Sequence, residues 1–427
     1  MRVLIVGQGG REHALAWKLR QSPSVTEIYA APGNAGMAEI AYCVPIGVAD
    51  IIELADFAEK VKIDLTVVGP ELPLTLGIVD EFRKRELTIF GPSRLAADLE
   101  GSKVFSKEFM RKYDIPTGES VVCLSYEDGV VATKKGPWPK VIKVDGLAGG
   151  KGVFIVPSKD DAEGVLDQIF HERRFGNAAD RVLVEEYLDG EEVSFLVLTD
   201  GKRVAPLAPT KDYKKAFDGD QGPNTGGMGA HSPALVLPSE MGAEILRRIV
   251  LPTIQGMEEE GRPYSGCLYV GLMLTDDGPK VLEYNCRFGD PETQAQMLRL
   301  ESDLAEVLLQ IARGEFNDTK LNWKKEAAAC IVVAAEGYPG EFATGTEVSV
   351  ETNDDPSVVV FHAGTKKADG KVVVSGGRVL NVCARAATLQ EALKKAYAAT
   401  VRGVKGPGLR FRKDIGRAAL EKRATLA

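Results

Sequence analysis

At 427 residues the chain is too long for one simple core, and two to four domains are expected. Its 44% hydrophobic and 27% charged residues are ordinary for a folded globular protein, and no apolar run reaches membrane-spanning length. A net charge of -8 with no basic tract argues against nucleic acid as the main partner, although local lysines can still hold small anions.

The apolar run after Met1 is too short for a signal peptide and enters a glycine turn directly, so a cytoplasmic protein is expected. The six cysteines and four histidines are dispersed, without a C-x-x-C pair, which points to reduced thiols and no zinc site.

Arg2 to Val6 reads as a strand, Gly7-Gln8-Gly9-Gly10 as a turn, and Arg11 to Arg20 as a helix whose start favours an anion. It is not a dinucleotide fingerprint. Glu12 stands where the third glycine belongs, and the next strand, Glu27 to Ala31, ends in Ala-Pro-Gly without a ribose-binding acid. Further strands at Asp64 to Val68 and Leu87 to Phe90 predict an open, mostly parallel sheet. Gly33-Asn34-Ala35-Gly36 and Gly69-Pro70-Glu71 fall at carboxyl ends of its strands, where such sheets bind ligands.

Gly101-Ser102 opens a helix carrying Lys103, Lys107 and Lys112, ended by Ile115-Pro116. Lysines on a helix usually face water. Val141 to Val144, a turn with four glycines in seven positions, and Val153 to Val156 follow. Glycines let backbone N–H groups approach phosphate oxygens, and Lys143 and Lys151 flank them with positive charge. A Walker A loop is ruled out: Asp145 occupies its first glycine position, Gly152 replaces its Ser or Thr, and a strand follows instead of a helix. A phosphate-covering flap between antiparallel strands fits better.

After a helix at Lys159 to Phe170, a strand from Arg181 to Glu185 leads through an acidic connector to a strand from Val193 to Leu198. Such a connector can present backbone groups to an adenine edge, and Glu192 can hold ribose hydroxyls. Asp218 to Gly229 reads as a long glycine-rich loop on a defined path. Leu268 to Thr275 and Lys280 to Asn285 flank Asp276-Asp277-Gly278 as a hairpin. Period two places Glu283 and Asn285 on one face, with Leu282 and Tyr284 on the other; the two oxygen donors can share Mg²⁺. A helix is expected from Glu292 to Arg313. Strands at Ala327 to Ala334, Val358 to His362, Lys371 to Val374 and Val379 to Ala384, with a helix at Leu389 to Val401, predict a C-terminal α+β domain.

The flap, the acidic connector and the Glu283-x-Asn285 strand resemble the ATP-grasp fold. Within it, Gly7-Gln8-Gly9-Gly10-Arg11-Glu12-His13, Gly222-Pro223-Asn224-Thr225-Gly226-Gly227-Met228-Gly229 and Arg287-Phe288-Gly289-Asp290-Pro291-Glu292 resemble the phosphoribosylamine–glycine ligase family over essentially the whole chain. The resemblance implies a multidomain α/β and α+β protein. A Rossmann-like N-terminal domain spans 1–101. The ATP-grasp domain takes 102–121 and 191–324, with an inserted flap at 122–190, and a small C-terminal domain takes 325–427.

It also implies sites. Lys103 and Lys143 contact ATP phosphates, and the flap residues Gly146, Gly149, Gly150, Lys151 and Gly152 cover them. Glu185, Glu186 and Leu188 surround adenine, Glu192 takes the ribose, and Glu283 and Asn285 bind Mg²⁺ or Mn²⁺. Arg287 orients the glycine carboxylate or an acyl phosphate, and Asp212 or Asp290 holds an ammonium or accepts a proton, with Lys214 beside them. Gly9, Gly10 and Arg11 hold the phosphate of phosphoribosylamine, and Asn34 and Glu71 its ribose. The preceding strand, Tyr269 to Leu274, carries no metal carboxylate, unlike many ATP-grasp relatives. The implied reaction is ATP-dependent amide formation by a monomer acting on small molecules. The rivals are another ATP-grasp ligase, such as a biotin carboxylase-like or ribotide carboxylase enzyme, and a non-catalytic nucleotide-binding protein.

Overall fold

The computed structural model describes residues 1–146, 152–317, 320–351 and 354–426. The N-terminal strands form an all-parallel sheet in the order Tyr42–Cys43, Glu27–Pro32, Arg2–Gly7, Leu65–Val68, Ile89–Phe90. Arg2–Gly7 lies at its centre and reads as a near-continuous apolar run because both faces are covered.

The second layer is an antiparallel sheet in the order Val204–Pro206, Glu191–Thr199, Gly266–Thr275, Gly278–Asn285. The Gly278–Asn285 strand is the site's floor, and it is irregular. Gly271 pairs with Glu283 and Leu272 with Val281, leaving Leu282 as the extra residue of a bulge. Glu283 and Asn285 therefore share the half-exposed side while Val281 and Tyr284 are buried. Simple alternation would have put Leu282 with Tyr284; the bulge removes it from the pairing and frees its carbonyl.

The flap is a separate four-stranded sheet, ordered Ser120–Cys123, Val182–Glu186, Lys140–Val144, Val153–Val156, with its own small core of Ile142, Val144, Leu166, Ile169 and Val182. It is tied to the floor strand by its entry loop: Val281 N–H donates to Pro116 O at 2.7 Å and Thr117 Oγ1 to Val281 O at 2.6 Å.

The C-terminal sheet runs Lys211–Asp212, Gly229–Ser232, Ala327–Ala335, Arg378–Ala386, Val358–His362, so it takes two strands from the middle of the chain. One apolar core joins Val3, Ile5, Leu15 and Leu19 of the N-terminal layer to Met297, Leu308, Cys330 and Phe361. Two sequence expectations change here. The stretch from Asp218 to Gly229 is not a continuous loop: Lys215–Phe217 pairs with Gln221–Asn224. The helix expected over 292–313 is two, Glu292–Arg299 and Leu304–Arg313, because Asp303 caps the second by accepting from Ala305 N–H at 3.0 Å and Glu306 N–H at 3.4 Å. No helix among the described residues is long and apolar enough to cross a membrane.

Candidate active site

The site lies where the flap sheet meets the floor strand. Ser102 caps the helix Lys103–Lys112, accepting from Phe105 N–H at 3.1 Å, and so fixes Lys103 in its first turn. Lys103 Nζ donates to Gly146 O at 2.8 Å, at the entrance to the glycine-rich turn. Asp145 accepts from Ser102 Oγ at 3.1 Å and pairs with Arg181 at 2.6 Å. Burial holds the Lys103 ammonium below its ordinary range, with Glu283 opposing the shift. Gly149, Gly150 and Lys151 lie outside the described residues; Gly152 is buried and its carbonyl accepts from Val144 N–H at 3.0 Å.

Lys143, on the flap strand Lys140–Val144, bridges the two sheets. Its Nζ donates to Leu282 O at 3.1 Å, the carbonyl exposed by the bulge, and lies 2.9 Å from Glu185 Oε2. Lys107 reaches the same oxygen at 3.1 Å. It is 5% exposed, not the water-facing lysine that its helix position suggested, and donates to Thr117 Oγ1 at 2.7 Å and Gly118 O at 3.2 Å. Burial pushes its ammonium down to about 8, against the pull of Glu185. Glu185 Oε2 is thus held between two lysines, while Oε1 has no hydrogen-bond partner among the described residues. Leu188 is buried and Glu186 half-buried, and both lie over Gly118, where a Cβ would stand 3.2 Å from Glu186 Cγ and 3.6 Å from Leu188 Cδ1.

Across the floor, Gly271 leaves room opposite Glu283; a Cβ there would come within 3.3 Å of its Cγ. Burial alone would raise the Glu283 carboxyl, but Lys214, Lys143, Lys103 and Arg287 hold it below the usual carboxylate range. Lys214 Nζ pairs with Glu192 and lies 3.6 Å from Glu283 Oε1. Asp212 is buried with Oδ1 unpartnered among the described residues, and burial together with Glu292, Glu192 and Glu283 pushes its carboxyl well up despite Lys214. Behind it, Glu292 Oε1 accepts from Tyr269 Oη at 2.6 Å and Ser194 Oγ at 3.2 Å.

Glu283 and Asn285 offer two hard oxygen donors on one face of a strand, one ionised and one neutral. That set fits a divalent ion that takes its remaining ligands from phosphate and water. Among the described residues no cluster of three or more His, Cys, Asp or Glu forms a metal site, so Glu283 and Asn285 would be its protein ligands.

Arg287 is more committed than its sequence position implied. Nε pairs with Glu71 at 3.0 Å, Nη2 with Glu100 at 3.1 Å and Asn285 Oδ1 at 3.2 Å, and Nη1 with Phe288 O at 3.3 Å. The arrangement buttresses Asn285. Opposing the effect of burial, Arg287 and Arg11 draw the Glu71 carboxyl down to about 2. Glu71 therefore has a cationic partner already, rather than a carboxylate free for a ribose. Asn34 is also engaged: its amide donates to Gln8 O and His362 O at 2.8 Å and accepts from Gly36 and Met37 N–H, bracing the loop.

The helix start expected to hold a phosphate carries the chain's own carboxylates. Glu12 Oε2 accepts from Gly9 N–H at 2.5 Å, and Asp290 Oδ2 from Arg11 N–H at 3.4 Å. An anion at Gly9 and Gly10 would have to displace Asp290; a Cβ at Gly10 would sit 2.1 Å from Asn381 Nδ2, so that glycine serves close packing. Asp290 is in turn held by Arg378 at 3.4 Å and Gln294 at 2.8 Å. Sequence reasoning missed Lys107, Glu100, Arg378 and the Ser194–Tyr269–Glu292 group. Only the Arg287 to Glu292 motif hinted at the last of these.

Family models match in order along the chain: phosphoribosylglycinamide synthetase N domain over residues 1–100, its ATP-grasp (A) domain over 101–293, and its C domain over 328–418. The chain is 45% identical over 424 residues to a phosphoribosylamine–glycine ligase of Halalkalibacterium halodurans, covering 99% of this chain and 98% of that protein. It is 47% identical to one of Escherichia coli, covering 99% of each. Among solved structures, the phosphoribosylamine–glycine ligase of Thermotoga maritima superposes with a TM-score of 0.85 at 34% identity, covering 97% of this chain and 100% of that one. A biotin carboxylase from Campylobacter jejuni shares the fold alone, with a TM-score of 0.75 at 14% identity, over 96% and 92% of the two chains.

Proposed function

The chain belongs to the phosphoribosylglycinamide synthetase family, and on that premise we propose that it joins glycine to 5-phosphoribosylamine with cleavage of ATP to ADP and phosphate. The observation that carries this reading is that Lys103, Lys143 and Lys214 all draw the Glu283 carboxyl down, with Lys214 3.6 Å from it, Lys143 bonded to the adjacent Leu282 O and Lys103 to Gly146 O. Three cations from three elements around one carboxylate suit a nucleotide polyphosphate bound with a divalent ion.

In this reading adenine lies beside Glu185, Glu186 and Leu188, with Glu192 toward the ribose. Lys103 and Lys143 neutralise phosphate oxygens, and the flap excludes water. Glu283 and Asn285 hold Mg²⁺ or Mn²⁺, which when bound supplies charge stabilisation on the phosphate oxygens. The glycine carboxylate attacks the γ-phosphorus, ADP leaves, and glycyl phosphate forms. The amine of phosphoribosylamine then attacks the acyl carbon and phosphate leaves, giving the amide. Glu292, buried and bonded to Tyr269 and Ser194, is the candidate for holding the ammonium of glycine. Arg287 acts by fixing Asn285, and Asp290 by fixing the loop at Gly9 to Arg11.

The test is ADP release with Mg·ATP and glycine, with and without freshly generated phosphoribosylamine. Release only with both substrates, with glycinamide ribonucleotide formed, supports the proposal. Release that ignores glycine but needs bicarbonate and a ribotide would move the chain to the carboxylase branch. Binding of ATP without turnover would leave a nucleotide-binding protein.

A further inference from the structure

The Lys214 ammonium stands where two different ligands are expected. It pairs with Glu192 and lies 3.6 Å from Glu283 Oε1. Those carboxylates come from strands on either side of Gly266–Thr275, where Glu192 faces Met273 and Glu283 faces Gly271. With no side chain at Gly271, one lysine reaches across to both. The Lys214 backbone is fixed: its carbonyl accepts from Thr225 N–H and Thr225 Oγ1, each at 2.8 Å, and the neighbouring Tyr213 N–H donates to Gly229 O at 3.0 Å. Any change of partner must therefore be made by the flexible side chain. An alternative partner is at hand in Asp212, two residues away, 8% exposed and with Oδ1 unpartnered among the described residues.

We propose that Lys214 is a resident counter-cation that the metal-bound nucleotide displaces. In the free protein its ammonium neutralises Glu192 and Glu283. On loading, Glu283 would pass to the divalent ion and Glu192 to the ribose, leaving the released ammonium beside Asp212 and the reacting groups. The inference rests on the assignment of Glu283 as a metal ligand. It adds that metal binding is an exchange of cations, so Lys214 sets the metal affinity of the free protein. Before loading, the lysine holds the two carboxylates together without a metal; afterwards it supplies a positive charge that no longer has those partners.

The test uses Mn²⁺ alone as the probe, titrated into the whole protein without nucleotide and followed by electron paramagnetic resonance. Wild type is compared with Lys214→Met, Lys214→Arg and Glu283→Gln, with far-UV circular dichroism confirming folding. Lys214→Met removes the competitor and should bind Mn²⁺ about fivefold tighter or more, the scale of an ordinary coupling between sites. Lys214→Arg restores the charge and should return toward wild type, and Glu283→Gln should lose the site. If Lys214→Met unfolds, Lys214→Gln keeps a donor for Glu192 and should shift the same way. Unchanged or weaker Mn²⁺ binding in the folded neutral variant, with the site still lost in Glu283→Gln, overturns the displacement and leaves the metal assignment standing. Wild-type Mn²⁺ binding in Glu283→Gln overturns both.

Discussion

Lys107 offers the sharpest test of how Glu185 is held between two lysines. Its ammonium is 5% exposed and has three acceptors, Thr117 Oγ1 at 2.7 Å, Glu185 Oε2 at 3.1 Å and Gly118 O at 3.2 Å. Burial lowers its proton affinity from 10.5 to about 8, in spite of Glu185. Between those values the unfolded chain binds the proton and the folded chain does not, so stability rises with pH across the window. The full shift corresponds to about 3 kcal/mol, of which about 1.3 kcal/mol falls between pH 7 and pH 9. Lys107→Met lacks this group. Urea unfolding of both proteins at pH 7 and pH 9 should show the difference, wild type minus variant, moving in favour of wild type by about 1.3 kcal/mol. Function should move the other way. Deprotonation above about pH 8 leaves Glu185 to Lys143 alone, 2.9 Å away, and a lysine tied to a carboxylate is less available to phosphate. Wild-type kcat/KM for ATP should therefore fall above pH 8, and this alkaline limb should vanish in Lys107→Met. A stability difference that is flat or moves against wild type, or a variant that keeps the limb, would refute the reasoning.

Three further outcomes are expected. Glu283→Gln should cut kcat by about a hundredfold or more with unchanged circular dichroism, since a charge facing the reaction is lost without loss of shape; near-normal turnover would remove Glu283 from the reaction. Gly227→Ala should destabilise by about 2–3 kcal/mol, because its φ is +110° and the new Cβ would stand 2.4 Å from Pro291 Cδ; a wild-type urea midpoint would contradict this. Glu71, drawn down to about 2 from 4.5, contributes stability that is full above pH 4.5 and lost as pH falls through about 2. With its side chain 30% exposed the contribution is about 2 kcal/mol rather than the full shift, and Glu71→Gln should show a shallower acid limb; an identical acid profile would rule it out.

How much of this was legible in the chain differs by kind of interaction. Local signals carried the elements: alternation and Asp276-Asp277-Gly278 located the floor hairpin, and Ser102 located the start of the lysine helix. The bulge at Leu282 was not legible, since an extra residue in one strand shows only against its partner's register, yet it exposes the carbonyl that Lys143 takes. Lys107 looked like a surface lysine because helix periodicity names a face and not what covers it; the flap strand Val182–Glu186 covers this one. Arg378 lies 88 residues from Asp290 and no spacing rule links them; the link is made when the Arg378–Ala386 strand joins the C-terminal sheet.

The charged residues of the recognisable motifs divide by this same distinction. Arg287 and Asp290 sit in a contiguous signature, which suggests direct contact with substrate. Both are held by charges from elsewhere in the chain, Glu71 and Glu100 for Arg287 and Arg378 for Asp290, which the nearby Gln294 amide also bonds. Buried ions so held cannot leave their partners without exposing an unpaired charge, at a cost of about 3–5 kcal/mol. The more weakly held groups are better placed to meet a ligand. Asp212 and Glu185 each keep an oxygen without a partner among the described residues. The signature therefore supplies much of the frame, and the groups with spare bonding capacity are the ones left able to take a ligand.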